Sequence, residues 1–325
     1  MRLLVTGASG QVGWELSRSL MPLGEVVALD RRQCDFSRPE LLPSLIRGIK
    51  PDVIVNAAAY TAVDKAERKE KLAMTVNGSA VGVIAEESRK AGILLVHYST
   101  DYVFDGVKQT PYTEEDVPNP INVYGRSKLA GDAAVRHAGG AYVVLRTSWI
   151  YARRRHNFVR TILRLARNGE DLRIVADQIG APTWARNIAD ATALIVRAVC
   201  QEQAQGQFAS GIFNLAASGE TSWYEFGKAI LEDATRHTLL SAQRLPQLKP
   251  IPSEEYPLPA ARPKNSRLAV DRISKRFGIE IPDWKQGLAL CIEEMKTCEQ
   301  SGNRRSIEGP DAAAIDRESN DVSQP

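Results

Sequence analysis

Three consecutive apolar residues, Leu3-Leu4-Val5, run directly into Gly7-Ala8-Ser9-Gly10-Gln11-Val12-Gly13, after which Val12, Leu16 and Leu20 recur at a spacing of four as far as Pro22. This order of strand, glycine-rich turn and amphipathic helix restricts the fold more than any other feature of the chain. A helix laid over a sheet returns the chain to where a strand began, so the next strand is parallel to the first. The pattern then repeats. Glu25 to Asp30 reads as a second strand and Pro39 to Ile49 as a helix; Val53-Ile54-Val55-Asn56, Leu94 to Ser99 and Tyr142 to Arg146 read as further strands separated by helical stretches. The expected fold is α/β, a doubly wound parallel sheet of Rossmann type.

Beyond Ala152 the regularity weakens, and prolines gather at Pro246, Pro250, Pro252, Pro257, Pro259 and Pro263. Arg173-Ile174-Val175 and Gly211 to Leu215 still look like strands, so this half is expected to be interleaved with the sheet. The expected organisation is a dinucleotide-binding domain over 1–151, with later strands supplied by the C-terminal half, and a smaller substrate lobe over 152–298. A polar tail over 299–325 has no apolar period and is expected to be disordered.

At 325 residues and 43% hydrophobic content the chain can bury a sizeable core. A net charge of only +3, with basic and acidic residues interspersed, argues against nucleic-acid or membrane partners. Arg153-Arg154-Arg155 reads as a solvated loop. Cys34, Cys200, Cys291 and Cys298 have neither Cys-x-x-Cys spacing nor histidines nearby, against a zinc site or disulfide framework and in favour of a reducing cytoplasm. The first strand begins at residue 2, leaving no room for a secretory leader, and no run of roughly 18 apolar residues suggests a membrane span.

The glycine-rich turn suits a pyrophosphate, because Gly7, Gly10 and the opening helical residues Gln11 and Val12 can offer backbone N–H groups at a helix N-terminus. Seventeen residues after Gly13, Asp30 ends the second strand, where a carboxylate accepts from adenosine ribose hydroxyls. Arg31 and Arg32 follow at once and suit a 2′-phosphate instead, so both NADH and NADPH remain open as cofactor. Asp35 and Phe36 are placed beside the adenine. Ala57, Ala58 and Ala59, after the third strand, are small where a dinucleotide must pass close to backbone.

More than a hundred residues later, Tyr124-Gly125-Arg126-Ser127-Lys128 puts a phenol and an amine on one helix face. A free tyrosine, with a pKa of about 10, is a poor acid near neutrality. A lysine one turn away would favour the phenolate, each tenfold being about 1.4 kcal/mol, and can also hold the nicotinamide ribose. The fourth strand ends in Ser99-Thr100-Asp101-Tyr102, at the sheet edge where open α/β folds bind ligands. Thr100 is the candidate for orienting a carbonyl oxygen, which makes Thr100, Tyr124 and Lys128 the expected catalytic set.

On these segments the chain resembles the extended short-chain dehydrogenase/reductase superfamily. The resemblance narrows to the dTDP-4-dehydrorhamnose reductase family on Val53 to Glu67, Ser99 to Phe104, Asn122 to Gly125, Arg146 to Trp149, Gly180-Ala181-Pro182-Thr183 and Arg262 to Leu268. It implies reduction of a dTDP-linked 4-keto sugar by NADPH or NADH, with Tyr124 as proton donor. It extends the cofactor wall to Tyr60 and Thr61, puts Asp101 and Trp149 beside the sugar or base, and puts Arg262, Asn265 and Arg267 near the nucleotide. A threonine followed by Asp101-Tyr102, rather than by an Asp-Glu pair, fits simple reduction better than dehydration. An intact Thr100, Tyr124 and Lys128 argues against a non-catalytic, dinucleotide-binding regulatory subunit, and a related sugar-nucleotide epimerase remains the competing enzyme.

One departure concerns magnesium, which some members of the family hold between glutamates at a dimer interface. Glu15 and Glu294 match two such positions, but Arg186 occupies the third, and a cation there repels a metal. No metal site is expected; an ion pair of Glu15 with Arg186 is expected instead, in a monomer or homodimer.

Overall fold

The computed structural model describes residues 1–300. The first half runs β1 (Arg2–Thr6), α1 (Gln11–Ser19), β2 (Glu25–Leu29), α2 (Leu42–Ile49), β3 (Val53–Asn56), α3 (Val63–Arg68), α4 (Glu70–Met74), α5 (Ala80–Ala91), β4 (Leu94–Thr100), α6 (Val123–Ala138) and β5 (Tyr142–Thr147). There follow β6 (Ile150–Tyr151), α7 (Phe158–Asn168), β7 (Leu172–Val175), β8 (Ile179–Gly180), β9 (Thr183–Trp184), α8 (Ala185–Ala204), β10 (Gly211–Asn214), β11 (Thr221–Ser222), α9 (Trp223–Arg236), β12 (Leu248–Ile251), α10 (Asp271–Phe277) and α11 (Trp284–Gln300).

Six strands make one parallel sheet in the order β10-β5-β4-β3-β1-β2. The chain leaves β1 toward β2 and returns to its other side as β3, so the strand order reverses beside β1, and a crevice opens there above the carboxyl ends. Register aligns Thr6 with Asn56 and Thr100 with Thr147 at that edge.

Strand residues alternate between two apolar layers. Leu3, Val5, Val53, Val55, Val96 and Leu145 pack with Val12 and Leu16 of α1 and Ile188 and Ile195 of α8. Leu4, Ile54, Leu95 and Val144 face the other way, onto Ile46 of α2, Ile84 of α5 and Val135 of α6. With both faces covered, every residue of β3 and β4 is buried, which is why these central segments read as near-continuous runs with few polar positions.

The C-terminal half is built on an aromatic core. Trp149 stacks on Trp223 with ring centroids 3.5 Å apart, and Phe158, Phe226 and Trp284 continue the cluster. Of the two late strands expected from sequence, Gly211–Asn214 joins the central sheet, whereas Leu172–Val175 pairs with Leu248–Ile251 in a separate two-stranded ribbon. Ile174 packs against α9 rather than a neighbouring sheet strand, for a Cβ added at Gly227 would meet its side chain at 2.7 Å. The last helix continues through Gln300, and Glu299 pairs with Arg167 at 2.7 Å. The rest of the expected tail lies outside the described residues. Among those described, no helix is long and apolar enough to cross a membrane, and the four cysteines are free.

Candidate active site

At the crevice, Gly7 has φ +69°, and a Cβ there would sit 2.6 Å from the Ala57 carbonyl oxygen; one at Gly13 would sit 2.1 Å from that of Gly7. Those two glycines are required by packing of turn, helix and β3. Gly10 is different, because its Cβ direction meets only the Gly7 oxygen, at 3.1 Å. It opens α1 without a side-chain cap and without an acid in the first turn, so the leading N–H groups of Gln11 and Val12 are left for an external acceptor. A diphosphate fits this cradle. Ala57, Ala58, Ala59 and Tyr60 line its far wall, half-buried, with Thr61 exposed beyond them.

The adenosine end differs in detail from the sequence reading. Asp30 does stand at the end of β2, but its carboxylate holds Arg32, which donates from Nε at 3.1 Å and from its terminal nitrogen at 2.8 Å; that bond keeps its pKa low. Asp35 accepts from Ser37 and faces Arg31. Phe36 is buried in the apolar layer that includes Leu4 and Leu42. Arg153-Arg154-Arg155, expected as a solvated loop, is exposed at Arg155 and half-buried at the other two, but all three side chains are anchored. Arg153 pairs with Glu294 at 3.4 Å, Arg154 lies 3.7 Å over the Trp14 ring, and Arg155 donates to the Ser9 carbonyl at 2.6 Å.

Tyr124 and Thr100 converge, while Lys128 is held apart on the backbone of β4. Asn122 caps α6 by accepting from the Gly125 N–H at 2.8 Å, and the helix presses so closely on the turn after β4 that a Cβ at Gly125 would lie 2.1 Å from the Tyr102 carbonyl oxygen. This contact brings the half-buried Tyr124 phenol to the Thr100 hydroxyl, with its ring edge-on to Tyr102 at 5.6 Å. Desolvation pushes the Tyr124 pKa above its usual range and the Thr100 bond opposes it. Thr100 in turn donates to Asp101 at 3.0 Å, and burial raises the Asp101 carboxyl to about 6.

Lys128 is fully enclosed. Its ammonium donates to the Tyr98 carbonyl at 2.5 Å and lies 3.5 Å from His97 Nε2. Burial lowers it to about 8, against the pull of Asp132. Lys128 is therefore held to the β4 backbone, and the groups acting on Tyr124 are its buried surroundings, Thr100, Asp101 and Asp132.

Thr6, His97 and Asn77 belong to no motif. Thr6 donates to Asn56 Oδ1 at 2.7 Å, and Asn56 Nδ2 meets His97 Nδ1 at 3.0 Å, so a buried polar chain crosses β1, β3 and β4 to reach Lys128. Asn77, wholly buried in a π-helical turn, bonds both the N–H and the carbonyl of Tyr60 and also Ser127, tying the cofactor wall to α6. The only sequence signal for them was polar identity at positions of otherwise apolar strands and helices.

The expected substrate residues are held by partners within the protein, with Asp101 bonded to Ser266 and Asn265 paired with Ile179 beside Gly180. Trp149, at φ +46°, leans on Gly180, where an added Cβ would lie 2.5 Å from its ring, and stacks on Trp223. Arg262 is committed to Asp64 at 2.8 Å, with its guanidinium 6.0 Å over Tyr102. Asn265 bonds the Lys108 and Thr110 carbonyls, and Arg267 bonds Asn265 and Glu220. The expected ion pair forms: Arg186 bridges Glu15 at 3.2 Å and Glu294 at 2.7 Å.

A family model described as the RmlD substrate binding domain matches residues 1–297. The dTDP-4-dehydrorhamnose reductase of Burkholderia thailandensis is 50% identical over 91% of this chain and 99% of its own length. That of Escherichia coli K12 is 42% identical over the same shares. The crystal structure of dTDP-4-dehydrorhamnose reductase from Bacillus anthracis in complex with NADP superposes with a TM-score of 0.80 at 32% identity, covering 90% of this chain and 99% of that one. On this match along almost its whole described length, the chain belongs to the dTDP-4-dehydrorhamnose reductase family.

Proposed function

We propose that Tyr124 is the proton donor in an NAD(P)H-dependent reduction of the C4 ketone of dTDP-4-dehydro-L-rhamnose to dTDP-L-rhamnose, with Thr100 and Lys128 completing the catalytic set. The observation that carries this reading is the convergence of the Tyr124 phenol on the Thr100 hydroxyl at the carboxyl end of β4, beside the glycine-rich crevice.

The dinucleotide, when bound, supplies the hydride. Thr100, whose hydroxyl donates its proton to Asp101 in this structure, would turn that proton to the carbonyl oxygen and so orient it. Tyr124 gives its proton to that oxygen as the alkoxide emerges, and this proton is available at neutral pH because burial keeps the phenol protonated. Lys128, whose buried ammonium donates to the Tyr98 carbonyl, is the residue that would hold the nicotinamide ribose, and its positive charge would favour the phenolate form of Tyr124. Gly7, Gly10, Gln11 and Val12 take the diphosphate, Asp30 and Asp35 the adenosine, and Ala57 to Thr61 the opposite face. Asp101 and Trp149 border the sugar nucleotide, while Arg262, Asn265 and Arg267 hold the stretch that follows Ala260 against Tyr102 and Lys108. Four free cysteines support a reducing compartment, the cytoplasm.

The test is loss of reduced-nicotinamide absorbance on mixing purified protein, NADPH and freshly generated 4-keto sugar nucleotide. Tyr124→Phe is expected to lower kcat at least about a hundredfold, the scale of a lost general acid, while still binding NADPH. Binding of NADPH without turnover in the wild type would reject the reaction; full turnover in Tyr124→Phe would reject the donor.

A further inference from the structure

Beside the glycine-rich turn, on the side away from β3, lies an open cleft of about 380 Å³ lined by Ser9, Trp14, Ser17, Asp30, Arg154 and Arg155 among others. It adjoins both the turn that would cradle the diphosphate and the carboxylate that would read the adenosine ribose. Asp30, the carboxylate placed at the adenosine ribose, shares the lining of this cleft with Arg154 and Arg155.

The charge in this cleft is unbalanced. Asp30 is paired with Arg32, and Glu15 with Arg186. Arg154 and Arg155 form no ion pair with any described residue. Arg154 keeps its guanidinium over Trp14 at 3.7 Å; burial depresses its pKa, the positive charges of Arg153, Arg155 and Arg160 add to this, and Glu15 opposes it. Such crowding of like charge is costly unless an anion relieves it.

The loop is also built to present these residues. Asn157 caps α7 and donates to the carbonyls of Ala152, Arg154 and Arg155 at 2.7, 3.2 and 3.2 Å, and to Gln11 Oε1 at 3.0 Å. Arg155 adopts φ +62°, an unusual conformation for a residue with a side chain, and its Nε is anchored on the Ser9 carbonyl. A segment more than 140 residues away is thus fastened to the glycine-rich turn, with two guanidinium groups facing the ribose end.

We propose that Arg154 and Arg155 clamp a phosphomonoester on the 2′-oxygen of the adenosine ribose, and so set a preference for NADPH over NADH. Guanidinium forks match phosphate oxygens through paired, charge-assisted hydrogen bonds. Arg32 makes the arrangement workable, because it cancels the Asp30 charge that would otherwise repel the phosphate. The assignment rests on the dinucleotide reading of the crevice and deepens it from a cofactor class to one member of that class.

The test is equilibrium binding of NADPH and NADH, followed by quenching of tryptophan fluorescence and by calorimetry, for the wild type, Arg154→Met/Arg155→Met and Arg154→Lys/Arg155→Lys. Adenosine 2′,5′-bisphosphate and AMP serve as probes that carry only the adenosine end. The methionine pair is expected to reduce the ratio of NADPH to NADH affinity about 10- to 100-fold, the scale of lost charge-assisted bonds, and to abolish discrimination between the two probes. The lysine pair is expected to recover most of that ratio. An equal loss for both dinucleotides, or an unchanged ratio with an unchanged melting temperature, overturns the clamp while leaving the dinucleotide site standing. A wild type that binds neither dinucleotide overturns both.

Discussion

At the scale of single residues, the site works through side chains whose protonation is displaced by burial, and the displacements have signs that can be checked. Lys128 is lowered to about 8 by burial. Its ammonium is the dominant form below that pH and is lost above it. If Tyr124 depends on that charge, kcat/KM falls as pH rises through about 8, and Lys128→Arg, charged throughout, flattens the fall even where it lowers the plateau. A rate profile from pH 6 to 10 measures this; an alkaline limb identical in wild type and Lys128→Arg rejects it. Asp101 is displaced oppositely, raised to about 6 from 3.8. The folded protein holds this proton more tightly than the unfolded chain. The stability it contributes is therefore full below about pH 4 and lost as pH rises through about 6. Asp101→Asn accordingly stabilises the fold by about 1–3 kcal/mol at pH 8 and by little at pH 4, measured by denaturant melts, while kcat falls because a neutral amide oxygen holds the Thr100 hydroxyl less firmly than a carboxylate does.

At the scale of elements, the decisive contact is between α6 and the turn after β4. A Cβ at Gly125 would lie 2.1 Å from a backbone oxygen, which cannot swing away as a side-chain tip can. Gly125→Ala is thus expected to cost about 1–3 kcal/mol and to lower kcat about 10- to 100-fold by moving Tyr124 off Thr100. Gly48, in α2, has nothing near its Cβ direction, so Gly48→Ala should instead stabilise by about 0.5–1 kcal/mol; equal behaviour of the two variants would refute the argument. The need for a glycine at position 125 was not legible in the sequence, because Tyr102 lies 23 positions earlier in another element. What was legible follows local rules. Strand-helix alternation predicts the parallel sheet, since its period shows in the chain itself, and Tyr124 with Lys128 share a helix face by spacing alone. Asn77, His97 and the Arg153 to Arg155 loop act across long separations, where neither periodicity nor turn chemistry reports. Leu172–Val175 was recognisable as a strand but not by partner, because a four-residue apolar run carries no record of which edge it joins.

At the scale of the whole molecule, the nucleotide half and the C-terminal helix are joined through one cation. Glu15 on α1 is almost completely buried, with its side chain 3% exposed, and Glu294 lies on α11, nearly the whole chain away; Arg186, at the start of α8, bonds both. Arg153 adds a further contact to Glu294, so the loop that reaches the glycine-rich turn is anchored to the same group. Removing the arginine strands a buried carboxylate, and that penalty exceeds the modest net worth of a surface pair. Arg186→Met is therefore expected to lower stability by about 2–4 kcal/mol. Arg186→Met/Glu15→Gln should recover at least half of that loss, because the stranded charge is gone while the packing is kept. The recovery separates this account from a simple loss of arginine contacts, which the second substitution would leave unrepaired. The same cycle reads coupling between the halves. If the arginine joins them, the single variant unfolds in two resolved steps in denaturant and the wild type in one; a single step in both, with no recovery in the double variant, would mean that the aromatic core around Trp223 and the packing of α1 on α8 already suffice to hold them together.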